Sequence, residues 1–167
     1  AAIYLYALTG NTTYRTYVET NYLTAQPMQW YYWYGFESTT QDALNSLNAG
    51  NVTANYTGPM SVDNRTIASI TVNFGAQPGW TGTWNNPGYS FGAGGRVTGA
   101  DFVSNPAQFT SNVQAGSYVQ GILLGQPGNL GVAHVIDVTL SGAGHIKDVG
   151  LLREVISQPG GSGIARP

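Results

Sequence analysis

Two histidines stand in this chain, and each has an aspartate three residues on: His134 with Asp137, and His145 with Asp148. On a helix that spacing brings the two side chains to one face, where a carboxylate can orient an imidazole. On a strand it sends them to opposite faces. Val132–Leu140 is rich in β-branched residues and reads as strand, so His134 reads as a structural or solvated group. A zinc site needs three or four converging ligands, and no third His, Asp or Glu joins either pair at a recognisable spacing. No metal, no cofactor and no catalytic residue is expected.

Other reactive groupings give as little. Ser162, between Gly161 and Gly163, lies in a loop-like tail, and no Gly-x-Ser-x-Gly nucleophile elbow is expected. Glycoside hydrolysis needs two acids flanking a cleft, but the 8 acidic residues are scattered and spacing picks out no pair. Gly92-Ala93-Gly94-Gly95 lacks the Lys-Ser/Thr that completes a phosphate loop and reads as a turn.

Aromatic residues supply the one positive signal. Trp30-Tyr31-Tyr32-Trp33-Tyr34 and the later Trp80, Trp84 and Tyr89 are dense for a chain of 167 residues. Flat rings stack on the apolar faces of sugars, which makes Trp30, Trp33, Trp80 and Trp84 candidates for carbohydrate stacking. The same rings can fill a core or a subunit contact, where Tyr and Trp are also enriched.

The elements that must carry these residues change character near Gly50. Residues 1–49 form an aromatic-rich segment of ambiguous period. Residues 12–22 suit helix or strand, with helix favoured by the flanking Gly10 and Asn11; residues 38–48 read as helix, with Asp42 in the early turns and Gly50 as a stop. Beyond Asn51 the chain reads as short strands: Asn51–Tyr56, Thr66–Phe74, Gly88–Phe91, Arg96–Val103, Gln108–Val113, Ser117–Leu124 and Val132–Leu140. Between them stand turn formers such as Gln77-Pro78-Gly79, Asn85-Asn86-Pro87-Gly88 and Gln126-Pro127-Gly128-Asn129. Ile146–Ile156 suits a last strand or one short helix. The expected fold is mainly β: an antiparallel β-sandwich of about 7–9 short strands over 50–167, with helical turns in the N-terminal segment and one structural domain overall.

Composition narrows the partners. Charged residues make up only 8% of the chain, against about 25% in an ordinary soluble domain. Between Thr66 and Ala100 the only charge is Arg96, and Phe102 to Ile136 carries none. The surface must therefore be built from Gly, Thr, Asn, Gln, Ser and Tyr, which hydrogen-bond well and repel neighbours weakly. That suits contact with copies of the same chain or with polysaccharide. A net charge of -2 without a basic cluster excludes nucleic acid. No stretch approaches the ~20 apolar residues of a spanning helix. With no cysteine there is no disulfide framework. The start at Ala1 is expected either from removal of a leader, giving a secreted chain at the cell surface or outside it, or from a sequence that begins mid-protein, and Asn11, Asn51, Asn55 and Asn64 stand in glycosylation sequons.

Two resemblances bear on function. Ala1 to Tyr14, with Thr9-Gly10-Asn11 at its centre, resembles the helix–Thr-Gly-Asn–helix hairpins of glycoside hydrolase family 9, and Met28–Glu37 followed by Gln41-Asp42-Ala43-Leu44 is similar to a segment of some members. The likeness covers about the first 45 residues. The acidic pair and later glutamate that serve that family as catalysts have no counterpart here, so the resemblance implies a fragment or borrowed segment and carries over no site. The remainder resembles, in general character, the secreted β-sandwich subunits of microbial surface fibres, which join by donating a terminal strand. Ile3, Leu5 and Ala7 would be the donated contacts, since the first strand-length piece is apolar on both faces. The expected function is a non-enzymatic, self-assembling extracellular subunit of a filament or surface layer. The alternative is a carbohydrate-binding module or a fragment of a polysaccharide-degrading enzyme; a small hydrolase with dispersed residues ranks third.

Overall fold

A computed structural model describes residues 38–155 of the 167. The element order is α1 (Gln41–Ala49), β1 (Thr53–Pro59), β2 (Ile67–Asn73), β3 (Gly79–Asn86), β4 (Tyr89–Thr98), β5 (Asp101–Ser104), a 3-10 turn (Pro106–Gln108), β6 (Tyr118–Gln126), β7 (Asn129–Leu140) and β8 (Gly144–Glu154). Each strand pairs antiparallel with the next, and β8 returns to β1 to close an eight-stranded up-and-down barrel. The expected sandwich is thus corrected. Both folds use the same inward–outward alternation along each strand; what separates them is the β8–β1 seam. That seam pairs Tyr56 with Glu154 and Thr57 with Arg153 and adds a bond from Val155 N–H to Asn55 C=O.

Small and large residues face one another across the inner wall, which is how a small barrel fills its bore. Trp80 stands opposite Gly95, Ile70 opposite Gly82, and Trp84 opposite Ala68. Trp80 packs edge-on to Trp84, Trp84 stacks on Phe91, and Phe102 leans on Trp80. Trp80 and Trp84 are 1% and 0% exposed. Leu44 and Leu47 of α1 join the core together with Phe74 and Leu130, near one mouth of the barrel. Thr40 caps this helix, its hydroxyl accepting from Ala43 N–H. The helix read over 38–48 is therefore present, a few residues later.

Three other expectations change. Gly92-Ala93-Gly94-Gly95 is no turn but the middle of β4. A Cβ on Gly95 would collide with Val103 C=O and stand 3.0 Å from Trp80 Nε1, so glycine here answers close packing and not chain reversal. Gln108–Val113 is not a barrel strand; with Asn105 it lies along β4, where Asn105 and Thr110 N–H donate to Gly94 and Gly92 C=O. Conversely, β3 was hidden by the flanking Pro-Gly and Asn-Asn-Pro-Gly signals. Of the stretch Ile146–Ile156, the residues up to Glu154 are strand, the end of β8.

Candidate functional site

The two His–Asp pairs of the sequence are split, and one new pair is formed. His134 and Asp137 lie on opposite faces of β7, as a strand demands. His134 points inward and is 0% exposed. Its cross-strand neighbours are Gly121 on β6 and Gly150 on β8, and a side chain at either would strike it: a Cβ at Gly121 would lie 2.8 Å from His134 Cβ, and one at Gly150 2.7 Å from His134 Cε1. Two glycines thus cut a slot for one imidazole. Across the bore Trp84 Nε1–H donates to His134 Nε2 at 3.1 Å. Burial pushes the imidazole down to about 3, so the ring is neutral and its Nε2 serves as an acceptor. That is a structural bond, with no opening for a substrate.

Asp148 is spent in the same way. Its carboxylate accepts from Val62 N–H at 2.8 Å, Asp63 N–H at 3.0 Å and Val149 N–H at 2.8 Å, and so ties the β1–β2 loop to β8. Burial raises its carboxyl above the ordinary range, against the lowering effect of those three donors. Asp137 instead meets His145 across the β7–β8 ladder, Oδ1 to Nε2 at 2.6 Å, with Lys147 3.6 Å from Oδ2. This cluster sits on the outer surface. In the loop, Arg65 holds Asp63 down to about 2 through a side-chain hydrogen bond and ion pair. Among the described residues no three His, Asp or Glu side chains converge as a metal site.

One string escaped the sequence reading. Gly88-Tyr89-Ser90-Phe91-Gly92 has the Gly-x-Ser-x-Gly form. It runs straight into β4, with strand on both sides and no helix after it. Ser90 is exposed on the outer face while His134 lies inside the bore, so the string makes no nucleophile elbow.

What remains available is the outer surface. Along β1–β3 most outward residues are hydroxyls and amides in rows. Asn55, Thr71 and Thr81 are in register across three strands, as are Thr57, Ser69 and Thr83. Side-chain bonds cross the strands between Thr71 and Asn55 at 2.8 Å, Thr53 and Asn73 at 3.1 Å, and Thr57 and Ser69 at 3.3 Å. These bonds tie the β1 and β2 side chains of the rows to one another without a single charge. Beside them a shallow groove of about 390 Å³ runs over Gly92, walled by Thr83, Asn85, Ser90, Thr110 and Asn112. A second, of about 370 Å³, crosses β4–β6 between Arg96, Asp101, Val103 and Gln120.

Trp80 and Trp84 are inside the barrel and offer no face for stacking. Trp30, Trp33, Ile3, Leu5, Ala7 and Asn11 lie outside the described residues. Asn51, Asn55 and Asn64 are exposed. Sequence reasoning missed the polar lattice because registering three strands is a non-local fact; its only local trace is the Thr/Ser/Asn alternation itself. No helix among the described residues is long and apolar enough to cross a membrane. The arrangement defines an up-and-down barrel with a side-chain-filled bore, and neither a family model, a curated protein nor a solved structure matches the chain.

Proposed function

We propose that this chain is a non-enzymatic structural subunit of an extracellular assembly, secreted and joined to its copies through the uncharged outer face of β1–β3. The preorganised hydroxyl–amide lattice carries this reading. Six of its side chains, from Thr53 to Asn73, already bond to one another, so docking against a second such surface orders little there that is not ordered, and the absence of charge removes the repulsion that keeps ordinary domains apart. The filled bore agrees with it, since an eight-stranded barrel that carries a small ligand keeps that space open. Strand donation by Ile3, Leu5 and Ala7 would have to use the β1–β8 seam, held by two residue pairs where β7–β8 has ten.

Sedimentation and electron microscopy over a concentration series test the proposal. The wild type should form large species, and Ser69→Lys with Thr81→Lys should return it to a 17.7 kDa monomer. A wild type that stays monomeric at the highest concentration, or a double variant that assembles equally, refutes it. The second reading, binding of a neutral polysaccharide, rests on the groove over Gly92, where Thr83, Asn85 and Ser90 present uncharged polar groups without an aromatic platform. Failure to be retained on insoluble cellulose, chitin and xylan would exclude it for those polymers.

A further inference from the structure

β7 is buried on both of its faces. Val132, His134, Ile136 and Val138 point into the bore, and the residues between them point out; yet Ala133 and Val135 are 1% and 0% exposed. Their outward neighbours on the flanking strands continue the pattern: Ile122 and Leu124 on β6, opposite Ala133 and Gly131, and Val149 on β8, opposite Val135, are 2–5% exposed. This apolar face contrasts with the polar rows of β1–β3, and its residues stand apart from the cluster that fills the bore. An antiparallel strand sealed on both sides requires a second layer, and among the described residues none of the strands supplies one, since all eight are in the barrel wall, while α1 turns Leu44 and Leu47 to the core.

We propose that the layer is the segment 1–37 of the same polypeptide, packed on the outer face of β6–β8. The chain enters the barrel at that place: Ser38 bridges antiparallel to Leu124, and Thr39 N–H donates to Leu123 C=O at 2.9 Å. The segment that ends there has the composition to cover an apolar face, with Ile3, Leu5 and Leu8, most of the chain's tyrosines and two of its 4 tryptophans. It also has the length. Three strands span about 10 Å across the ladder, whereas 37 residues reach about 55 Å even when coiled as helix. Tethering at Ser38 gives it an effective concentration on this face that a separate molecule meets only at millimolar levels. The inference is independent of assembly through the polar lattice of β1–β3, which uses the opposite side of the barrel, but it competes with donation of Ile3, Leu5 and Ala7 to another copy, which would withdraw that strand from this face.

Photo-leucine incorporated throughout the full-length chain tests it with little change in shape. Irradiation should join the peptides holding Leu124 or Leu151 to peptides within residues 1–37, in material that runs as a monomer. A soluble carbene reagent, applied to the unmodified chain, should label the 81–85 stretch and spare 132–135. Cross-links found only between two chains would make a second copy the occupant and overturn the proposal, as would carbene labelling of 132–135. Assembly can fail or succeed in the lattice variants without altering either readout.

Discussion

Between pH 7 and pH 5 the native protein should lose about 2 kcal/mol of stability through His134 alone. The buried imidazole protonates only near pH 3 in the folded state, against 6.5 for the free side chain. Below 6.5 the unfolded chain therefore binds a proton that the folded chain refuses, and each further pH unit costs the fold about 1.4 kcal/mol. The deficit is small at pH 7, reaches about 2 kcal/mol at pH 5, and keeps growing until the folded state also protonates. Asp148 works the other way: burial raises its carboxyl, so the folded state holds that proton longer and gains stability as pH falls through the carboxylate range. Urea denaturation of the wild type at half-unit pH steps, compared with His134→Gln, isolates the histidine. Glutamine does not titrate and its carbonyl can still accept from Trp84 Nε1–H. The variant should start less stable yet show a flatter profile from pH 7 to 5. Equal slopes in the two proteins would refute the assignment of a neutral, sealed imidazole.

Two further outcomes follow from close packing and from a buried carboxylate. Gly95→Ala should cost about 1–3 kcal/mol in chemical denaturation, because the added methyl must push β5 off β4 and weaken the 3.2 Å bond from Trp80 Nε1–H to Val103 C=O; a red shift of the tryptophan fluorescence would report the same displacement. Asp148→Ala should cost about 2–3 kcal/mol by stranding the N–H groups of Val62 and Asp63, and limited proteolysis should then cut first within 61–65. Unchanged stability in either variant would show that these contacts carry no weight.

Much of the wall was legible along the chain. Thr66–Phe74 alternates Ile70, Val72 and Phe74 against Thr71 and Asn73, and β2 buries that set; alternation is a local property set by the two-residue period of a strand. The helix stop at Gly50 was legible for the same reason. The splitting of His134 from Asp137 also followed from strand geometry. Turn signals misled where glycine served packing, at Gly95 and along β3, because a missing side chain looks the same in sequence whether it frees a turn or makes room for a tryptophan.

By itself, then, the sequence determined that this is a β-rich chain poor in charge, since composition and two-residue periodicity are properties of each segment alone. Tertiary structure decided the rest. Closure into a barrel depends on residues 56–57 meeting 153–154, a contact nearly a hundred residues apart that leaves no mark on either segment. The burial of Trp80 and Trp84, the glycine slot around His134, and the registration of Asn55 with Thr71 and Thr81 all follow from which strands become neighbours. Side-chain chemistry fixes what a residue can do; only the register of the closed sheet fixes which other residue it can do it with.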